Sequence, residues 1–311
     1  MNDLVEFIME LPSLVRVRVP ASSANLGPGF DTLALALGLH LHCTLRRTDQ
    51  ALRIRASGVD AASIPCDSTN LVWKAFCRIA GDVVSGADLE IDNELPLGRG
   101  LGSSAAAIIA GLALGNEWVG RRHSGEDLVQ MATEMEGHPD NVAAAARGGL
   151  VASCQRADGS VLSMKIPMRS GLDVVLVSPD YPLSTEAARH ALPQQYSRAD
   201  AVFNVQRVAL LVAALRDGNF DVLAEAMRDR MHQPYRAPLV PGFAEALALS
   251  GVPGLLGVAL SGAGPSVIAF CAGRTHKVGE AIAACFRKHG VHADAHVLLI
   301  DHDGLVVERV D

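Results

Sequence analysis

Aromatic residues are scarce in this chain of 311 residues, which contains neither a basic run nor a long apolar run. Phe, Trp and Tyr make up 4% of the sequence, and the formal net charge is −7 at pH 7. Nucleic-acid binding depends on clustered lysine and arginine interleaved with aromatic side chains, so the composition argues against such a partner. A membrane span takes roughly 20 apolar residues, and the charged first thirty residues lack the apolar core of a signal peptide. The expectation is a cytoplasmic protein without a membrane partner.

Cysteine and histidine also lack the spacing of a metal or redox motif. The cysteines are Cys43, Cys66, Cys77, Cys154, Cys271 and Cys285. They form no Cys-x-x-Cys pair, and several lie in apolar runs where a thiol acts as a small hydrophobe, which favours a reducing compartment. His40 and His42 alternate along one strand-like segment, and His292 and His296 flank another. Zinc needs further ligands in register, which the sequence does not offer, so no structural metal is predicted there.

The apolar content, 49% of the residues, is enough for a large core, and the chain length favours two domains. Strands and helices mix without a regular βαβ alternation, which favours the α+β class. The predicted domains are residues 1–167 and 168–311. Strands are predicted near residues 15–19, 33–46, 52–57, 87–92, 149–155, 172–178, 255–260, 266–271 and 293–299. Helices are predicted near residues 69–81, 103–119, 125–135, 140–147, 184–190, 198–216, 220–229, 242–250 and 276–289.

The most informative segment is the glycine-rich stretch of residues 96–106, Pro-Leu-Gly-Arg-Gly-Leu-Gly-Ser-Ser-Ala-Ala. Glycines at alternate positions allow positive φ angles, so that consecutive backbone N–H groups can converge on an anion. Ser103 and Ser104 stand where a helix is predicted to begin, and a helix N-terminus attracts phosphate. The stretch lacks the lysine and the spacing of the common P-loop. It therefore predicts a phosphate cradle of another family, the alternative being a serine-capped turn.

Three further segments combine glycine with polar side chains. Residues 20–31, Pro-Ala-Ser-Ser-Ala-Asn-Leu-Gly-Pro-Gly-Phe-Asp, place Asn25 and Asp31 in a turn, where they either bind a polar ligand or satisfy their own backbone. Residues 134–141, Glu-Met-Glu-Gly-His-Pro-Asp-Asn, suit Mg²⁺ binding and the orientation of an acceptor hydroxyl, or else form a charged helix end. Residues 260–266, Leu-Ser-Gly-Ala-Gly-Pro-Ser, predict a glycine turn between two strands.

These four segments together resemble the motifs of the GHMP kinases, which phosphorylate small alcohols. Residues 20–31 and 134–141 are most similar to those of the homoserine kinases. The resemblance implies two α+β domains, the first like ribosomal protein S5, with ATP and substrate in the cleft between them. It also implies Mg²⁺-dependent transfer of the γ-phosphoryl group to the side-chain hydroxyl of L-homoserine, in threonine biosynthesis. Family members are often homodimers, so a homodimer is possible here.

The resemblance assigns the catalytic, metal and phosphate-binding residues. The phosphate loop corresponds to Pro96, Leu97, Gly98, Arg99, Gly100, Leu101, Gly102, Ser103, Ser104, Ala105 and Ala106. Ser104 and Glu136 correspond to the Mg²⁺ ligands, with Glu134 as the alternative to Glu136. Asp140 would lie near the reacting hydroxyl, either as a base or as an orienting group, and Asn141 would lie beside it. A loose transition state for phosphoryl transfer demands positioning more than a strong base.

The resemblance also implies which residues bind the amino acid and adenine. The residues implied for homoserine are Asn25, Asp31, His138, Arg189, Arg236 and Gly262. Asp31 would meet the ammonium group, and the planar guanidinium of Arg189 or Arg236 suits the carboxylate, although either arginine alone could be a solvated surface residue. Homologues usually carry Glu-Pro where this chain has Gln233 and Pro234. Asn70 is expected against adenine.

Each of these assignments has an alternative. Near Asn70, Ser68 or Thr69 could instead cap a helix, with Trp73 in the core. The acceptor could be another small alcohol, such as L-threonine or mevalonate, or the protein could bind ligands without catalysis. An amino-acid zwitterion needs a cation and an anion in its site, whereas a binding protein needs no acidic pair at a phosphate loop.

Overall fold

The computed structural model describes residues 12–310 except residues 82, 83 and 85. Residues 1–11 and 311, which the predicted domains include, lie outside the described residues. The strands are β1 (Leu14–Asn25), β2 (Gly29–Arg47), β3 (Arg53–Gly58), β4 (Ala87–Asn93), β5 (Leu150–Gln155), β6 (Val161–Ile166), β7 (Asp173–Pro179), β8 (Leu255–Leu260), β9 (Val267–Cys271), β10 (Ala293–Leu298) and β11 (Val306–Val310). The α-helices are α1 (Leu71–Ala80), α2 (Ser103–Trp118), α3 (Gly125–Glu136), α4 (Asp140–Arg147), α5 (Thr185–His190), α6 (Arg198–Asp217), α7 (Leu223–Ala226), α8 (Gln233–Arg236), α9 (Phe243–Leu247) and α10 (Thr275–Arg287).

Two sheets organise the described chain. The first has the order β11-β1-β2-β4-β3, with β5 on the other half of β2 and β6 beside β5. The second has the order β10-β7-β9-β8. Neighbouring strands run antiparallel except β3 and β4, which are parallel. Sheets of this kind, mixed with helices, confirm the α+β class.

The first sheet shows how strand periodicity buries one face. In β1, Val15, Val17 and Val19 are buried, whereas Arg16 is exposed. This alternation turns the apolar side chains toward the helices, since successive residues of a strand point to opposite faces. Helix α2 lies in that core and is apolar around most of its circumference, which explains its burial on nearly every side. Its N-terminus, at Ser103, is thereby fixed at the edge of the core.

The second sheet packs one face on α9 and α10. Phe243 and Phe286 from these helices lie against Val175 and Val267 of the sheet, and all four side chains are buried. The loops at the ends of β7 and β8 consequently have a rigid support. They face the loop that precedes α2.

Some predicted elements differ from those observed. Strands β6 and β11 were not predicted, because both lie at sheet edges and expose apolar side chains such as Met164, so that they show no burial pattern in the sequence. The helix predicted over 220–229 is a 3₁₀ turn, Phe220–Val222, followed by the single turn of α7. The helix predicted over 242–250 is only α9, and α8 was not predicted.

The last strand joins the first sheet. Strand β11 pairs antiparallel with β1, with Val307 opposite Val17. Shortly before it, the carbonyl oxygen of Leu299 accepts a hydrogen bond from the N–H of Gly38. The chain from about residue 299 onward therefore completes the sheet that residues 14–166 begin. The predicted domain boundary between residues 167 and 168 stays a prediction for the rest of the chain. No helix in the described part of the chain is long and apolar enough to cross a membrane.

Candidate active site

The loops that follow β1, β4, α3 and β8 meet around one cleft, which has a volume of 80 Å³. The predicted site residues that line it are Asn25, Asp31, Gly98, Gly100, Leu101, Gly102, Ser103, Ser104, Glu136, His138, Asp140, Asn141, Arg189, Arg236 and Gly262. The predicted residues that do not line it are Pro96, Leu97, Arg99, Ala105, Ala106 and Asn70. The fold thus brings segments up to 237 positions apart in the chain, as between Asn25 and Gly262, into one site.

The glycine-rich loop is clamped from two sides. Gly98, Gly100 and Gly102 have φ angles of 66°, 74° and 66°, in the left-handed region that favours glycine. A Cβ atom on Gly100 would lie 2.2 Å from the carbonyl oxygen of Ser261. The hydroxyl of Ser261 lies 2.7 Å from the carbonyl oxygen of Gly100 and 2.8 Å from the hydroxyl oxygen of Ser23. Strand β1 and the loop after β8 therefore hold this turn in place.

The loop presents backbone N–H groups to the cleft. Helix α2 follows Gly102, and no side chain caps its N-terminus. Its first N–H groups are therefore available to an anion, and the helix dipole favours negative charge there. Arg99 points elsewhere, because its guanidinium lies 3.1 Å from a carboxylate oxygen of Asp180 and donates to the carbonyl oxygen of Pro179. The guanidinium of Arg99 is thus bound to residues at the end of β7 and not directed at the cleft.

We expect Gly100→Ala to lower the free energy of unfolding by more than about 2 kcal/mol, because it combines a strained φ with a clash against backbone. Urea denaturation measures the effect. Gly125→Ala is the matched control: Gly125 opens α3 with nothing within 4 Å of its would-be Cβ, so stability should be unchanged or rise by up to ~1 kcal/mol. Equal stability of the two variants would contradict the clamped turn.

Two oxygen donors face each other beside the phosphate loop. The hydroxyl of Ser104, in the first turn of α2, donates to Oε1 of Glu136 at 2.5 Å. Glu136 is the last residue of α3, and Gly137 ends that helix in the left-handed conformation with φ of 90°. Glu134 instead accepts from Arg78 at 3.2 Å and does not line the cleft. The geometry favours Glu136 over Glu134 as a metal ligand, and a carboxylate paired with a hydroxyl suits a hard cation such as Mg²⁺.

Asp140 is buried at the start of α4 with a defined set of partners. Its Oδ1 accepts from the N–H of Asn141 at 2.6 Å and lies 2.7 Å from Nδ1 of His138. The amide oxygen of Asn141 accepts from the Ser22 hydroxyl at 2.8 Å. Burial lowers the pKa of His138, but the hydrogen bond and the charge of Asp140, together with the charge of Glu136, outweigh it and raise that pKa overall. In the described part of the chain no protein group hydrogen-bonds to Oδ2 of Asp140, which leaves that oxygen for a ligand.

Asp31 and Arg189 form a bidentate ion pair across the cleft. The Nη1–Oδ2 distance is 3.2 Å and the Nη2–Oδ1 distance is 2.7 Å. Asn25 accepts from the N–H of Asp31 at 3.1 Å and donates to the carbonyl oxygen of Gly262 at 2.9 Å. Asn25 therefore satisfies the backbone of its own turn, as the simpler interpretation predicts, and also ties that turn to the loop after β8. Both side chains still line the cleft.

Arg236 is a buried cation whose partners are backbone oxygens and a histidine ring. It is 2% exposed and donates to the carbonyl oxygens of Ala188, at 3.2 Å, and Gly262, at 3.0 Å. Among the residues that the structure describes, no carboxylate oxygen lies within 4.0 Å of its guanidinium nitrogens. Burial, together with the positive charge of Arg189, lowers the pKa of Arg236 to about 10. A buried charge of this kind is costly unless a ligand supplies the opposite charge.

Sequence reasoning did not assign a role to Asp229 or His232, which position Arg236. The buried Asp229 carboxylate accepts from the Asn204 amide at 2.7 Å and from the N–H of His232 at 2.9 Å. Nε2 of His232 lies 2.7 Å from the carbonyl oxygen of Gly27, so it must donate, and Nδ1 then accepts from Arg236 at 3.3 Å. Burial lowers the pKa of His232 and keeps its ring neutral. The signal in the sequence is an aspartate three residues before the histidine, as in a helix cap.

Gln233, at the position where the family resemblance implies glutamate, has a buried side chain. Its Oε1 accepts a hydrogen bond from the N–H of Leu260 at 2.8 Å. A carboxylate could accept the same bond, so this departure leaves the support of the loop after β8 intact.

A second cavity, of 230 Å³, adjoins the phosphate loop. Ser103 and Ser104 belong to both cavities, and the other lining residues of the second are mostly apolar: Leu41, Ser63, Ile64, Pro65, Asn70, Leu71, Val72, Ile91, Asn93, Leu97 and Ala107. Asn70 itself caps α1, accepting from the N–H of Trp73 at 3.2 Å and donating to the carbonyl oxygen of Pro65 at 2.7 Å. The cap is therefore neither Ser68 nor Thr69, and Trp73 lies in the core as the alternative predicted.

An anion cradle at a helix N-terminus, facing acidic and hydroxyl oxygens in a cleft between two α+β units, defines a small-molecule phosphotransferase. Comparison with known proteins agrees. Residues 70–149 match the model of the GHMP kinases N terminal domain, and residues 211–292 match that of the GHMP kinases C terminal.

Relatives that match over most of their length show which kind of GHMP kinase this chain resembles. The homoserine kinase of Solibacter usitatus is 46% identical over 89% of this chain and 92% of its own length. That of Desulfitobacterium hafniense is 42% identical over 94% of this chain and all of its own length. A crystal structure of homoserine kinase from Cytophaga hutchinsonii superposes with a TM-score of 0.84 at 30% identity, covering 96% of this chain and 98% of that one. The chain belongs to the homoserine kinase family of GHMP kinases, which confirms the resemblance seen in the sequence.

Proposed function

We propose that this protein transfers the γ-phosphoryl group of ATP to the side-chain hydroxyl of L-homoserine, giving ADP and O-phospho-L-homoserine. The unpaired guanidinium of Arg236, beside the Asp31–Arg189 pair, is the observation that carries the choice of an amino acid. A zwitterion would place its carboxylate between the two arginines and its ammonium group on Asp31. Mevalonate has no ammonium group for Asp31, and this charge pattern favours the amino acid over it.

ATP would lie across the two adjoining cavities. The apolar cavity of 230 Å³ suits adenine, and the glycine-rich loop lies where the phosphates would follow. Both polar groups of the Asn70 side chain are engaged with backbone, so we propose that Asn70 acts on adenine by shaping the cavity. Ser104 and Glu136 would hold Mg²⁺, which neutralises charge on the phosphates when bound. The phosphate contacts would come from backbone N–H groups of the loop.

Asp140 lines the cleft and would receive the acceptor hydroxyl on Oδ2, the oxygen that no group among the described residues engages. His138 and the N–H of Asn141 hold the other oxygen, so the carboxylate cannot rotate freely. This fixed orientation aligns a lone pair of the hydroxyl with the phosphorus atom, and proximity of this kind is a large part of the catalysis of phosphoryl transfer. The proton of the hydroxyl passes to Asp140 as, or after, the new P–O bond forms.

We expect Glu136→Gln to raise the Mg²⁺ concentration for half-maximal rate at least ~10-fold, because an amide oxygen lacks the charge that a divalent cation selects. Glutamine can still accept the hydrogen bond of Ser104, so the loop should keep its conformation. A Mg²⁺ titration of the initial rate measures the shift. Glu134→Gln, two residues away and paired with Arg78, is the control and should match the unmodified protein. An equal shift in both variants would show that only the general charge of α3 matters.

The decisive test is ADP release from Mg-ATP against L-homoserine, D-homoserine, L-threonine, L-serine and mevalonate. Turnover with L-homoserine well above the others supports the proposal. Preference for another alcohol would keep the kinase and overturn the substrate. If no alcohol in the panel gives ADP release although ATP still binds, the result would indicate a ligand-binding protein.

The proposal extends to the cellular location and the partners of the protein. We propose a cytoplasmic enzyme of threonine biosynthesis without a nucleic-acid or membrane partner, for which the homodimer common in the family is the expected assembly. No disulfide bond joins the cysteines in the part of the chain that the structure describes, in keeping with a reducing compartment.

A further inference from the structure

Two histidines and a glutamate meet on the face of the first sheet that points away from its helices. His40 and His42 project from the same side of β2, since Leu41 between them is buried in the core. The register of β2 and β4 sets Leu41 opposite Asn93, so the next residue, Glu94, lies beside His40. The backbone N–H of Glu94 donates to the carbonyl oxygen of His40 at 3.0 Å. Strand pairing thus supplies Glu94 as a third ligand beside the two histidines, which the sequence alone does not reveal.

The three side chains converge at the spacing of metal ligands. One ligand atom from each of His40, His42 and Glu94 lies within 4.8 Å of the other two. Nδ1 of His40 is 3.7 Å from Oε2 of Glu94, which is too long for a hydrogen bond. Two ligands of a tetrahedral zinc ion, each about 2.0–2.1 Å from the metal, lie about 3.4 Å apart. Small side-chain movements would therefore bring these atoms to coordinating distance.

Both His40 and Glu94 are held in place by second contacts. Nε2 of His40 lies 2.8 Å from Oδ2 of Asp301, whose side chain is only 6% exposed. The other oxygen of Asp301 accepts from the N–H of Gly304 at 2.7 Å. Oε2 of Glu94 accepts from the N–H of His40 at 2.8 Å. A carboxylate on the far nitrogen is the usual partner of a metal-bound histidine, because it fixes the tautomer and turns the other nitrogen to the metal.

The surrounding charges and access are compatible with a cation. Arg18 stands opposite His42 on β1, and its guanidinium lies 3.9 Å from Oδ2 of Asp301 and 2.9 Å from Oδ2 of Asp303, so two carboxylates offset its charge. Asp92 stands opposite His42 on β4 and adds a further carboxylate to this face. His42 lines a groove that is open to solvent, and Glu94 is exposed. Ions can therefore reach the cluster without a change in the fold.

We propose that His40, His42 and Glu94 form a site for a zinc-class divalent cation, with Asp301 orienting His40 and a water in the fourth position. Imidazole with carboxylate selects Zn²⁺ or Co²⁺ over Mg²⁺, which prefers oxygen ligands alone. The site joins β2, the end of β4 and the segment after β10. Its ligand Glu94 lies two residues before Pro96, where the phosphate loop begins. It is separate from Ser104 and Glu136, so it goes beyond the proposed kinase reaction.

The test uses the full chain, stripped of metal by a chelator and kept in excess Mg²⁺, which occupies oxygen-only sites. Titration with Zn²⁺ against a chromophoric chelator, and with Co²⁺ followed by visible absorption, should show one ion per chain. His42→Ala and Glu94→Gln should each weaken Zn²⁺ binding at least ~30-fold, and Asp301→Asn about 10–100-fold. His296→Ala, on the exposed edge strand β10, is the control and should bind like the unmodified protein.

Two results would overturn the site. One is the absence of Zn²⁺ uptake at micromolar concentrations. The other is uptake that His42→Ala and Glu94→Gln leave unchanged. A folded state is checked by thermal melting, and His42→Gln replaces His42→Ala if the latter is unstable. Since His42 has no place in the kinase site, its variants should keep homoserine phosphorylation, and failure of the metal site is distinguishable from failure of the proposed function.

Discussion

Asp140→Asn is expected to lower kcat for homoserine phosphorylation about 10³-fold, within the usual range for loss of a positioned acid–base group. Asparagine can keep the hydrogen bond from the N–H of Asn141 through its amide oxygen, so the start of α4 should remain folded. What it loses is the negative charge that, in the proposed reaction, receives the hydroxyl proton. The amide nitrogen would also face the acceptor as a donor. Steady-state ADP release at saturating L-homoserine and Mg-ATP measures the fall in kcat.

The control for Asp140→Asn is Asp158→Asn. Asp158 lies in the exposed turn between β5 and β6, where its Oδ1 accepts from the N–H of Ser160 at 2.9 Å. An asparagine makes the same turn, so this variant should keep full activity. Binding of ATP to the Asp140 variant should be unchanged, because the glycine-rich loop is not altered. A fall in kcat of less than 10-fold would show that Asp140 does not contact the reacting hydroxyl.

Arg236→Met is expected to lower kcat/KM for L-homoserine about 10²–10³-fold, mainly through KM. Loss of one partner from a buried charge pair costs about 3–4 kcal/mol, and each 1.4 kcal/mol is tenfold in affinity. The KM for ATP should stay the same, because Arg236 lies on the side of the cleft proposed for the amino acid. Arg236→Lys should also fail to restore full activity, since an ammonium lacks the planar fork that matches a carboxylate.

Stability separates this binding role from a structural one. Removing the guanidinium relieves a buried charge but leaves the carbonyl oxygen of Ala188 without its donor, whereas that of Gly262 keeps the hydrogen bond from Asn25. These effects oppose each other, so the free energy of unfolding should change by no more than ~2 kcal/mol. Arg230→Met is the control, because Arg230 is exposed and pairs with Asp200. A large loss of stability with an unchanged KM would mean that Arg236 serves the fold alone.

The motif residues were predictable because each depends on local backbone chemistry. Gly98, Gly100 and Gly102 adopt the positive φ angles that alternate glycines suggest, and α2 begins at Ser103 as the following apolar run predicts. Glu136 was harder to separate from Glu134, since they lie two positions apart in a helix. Only the direction in which each carboxylate points distinguishes the cleft from the surface.

Other features could not be read from local sequence. Asp229 and His232 act on Arg236 through hydrogen bonds that exist only once α6, α8 and the turn at Gly27 have packed together. Strand β11 has too few buried residues to show a pattern, and its place is decided by pairing with β1, nearly 300 residues earlier in the chain. Contacts at such separations leave no periodicity in either segment.

The amino-acid sequence by itself determined the α+β class, the phosphate loop, the acidic segment and the family, because glycine spacing, apolar periodicity and clustered polar side chains are properties of short segments. The tertiary structure alone decided which charges meet. It paired Asp31 with Arg189, buried Arg236 away from every carboxylate of the residues described, and set Glu94 beside His40. Electrostatic interactions depend on distance and burial in space, and for residues far apart in the chain these are properties of the folded molecule.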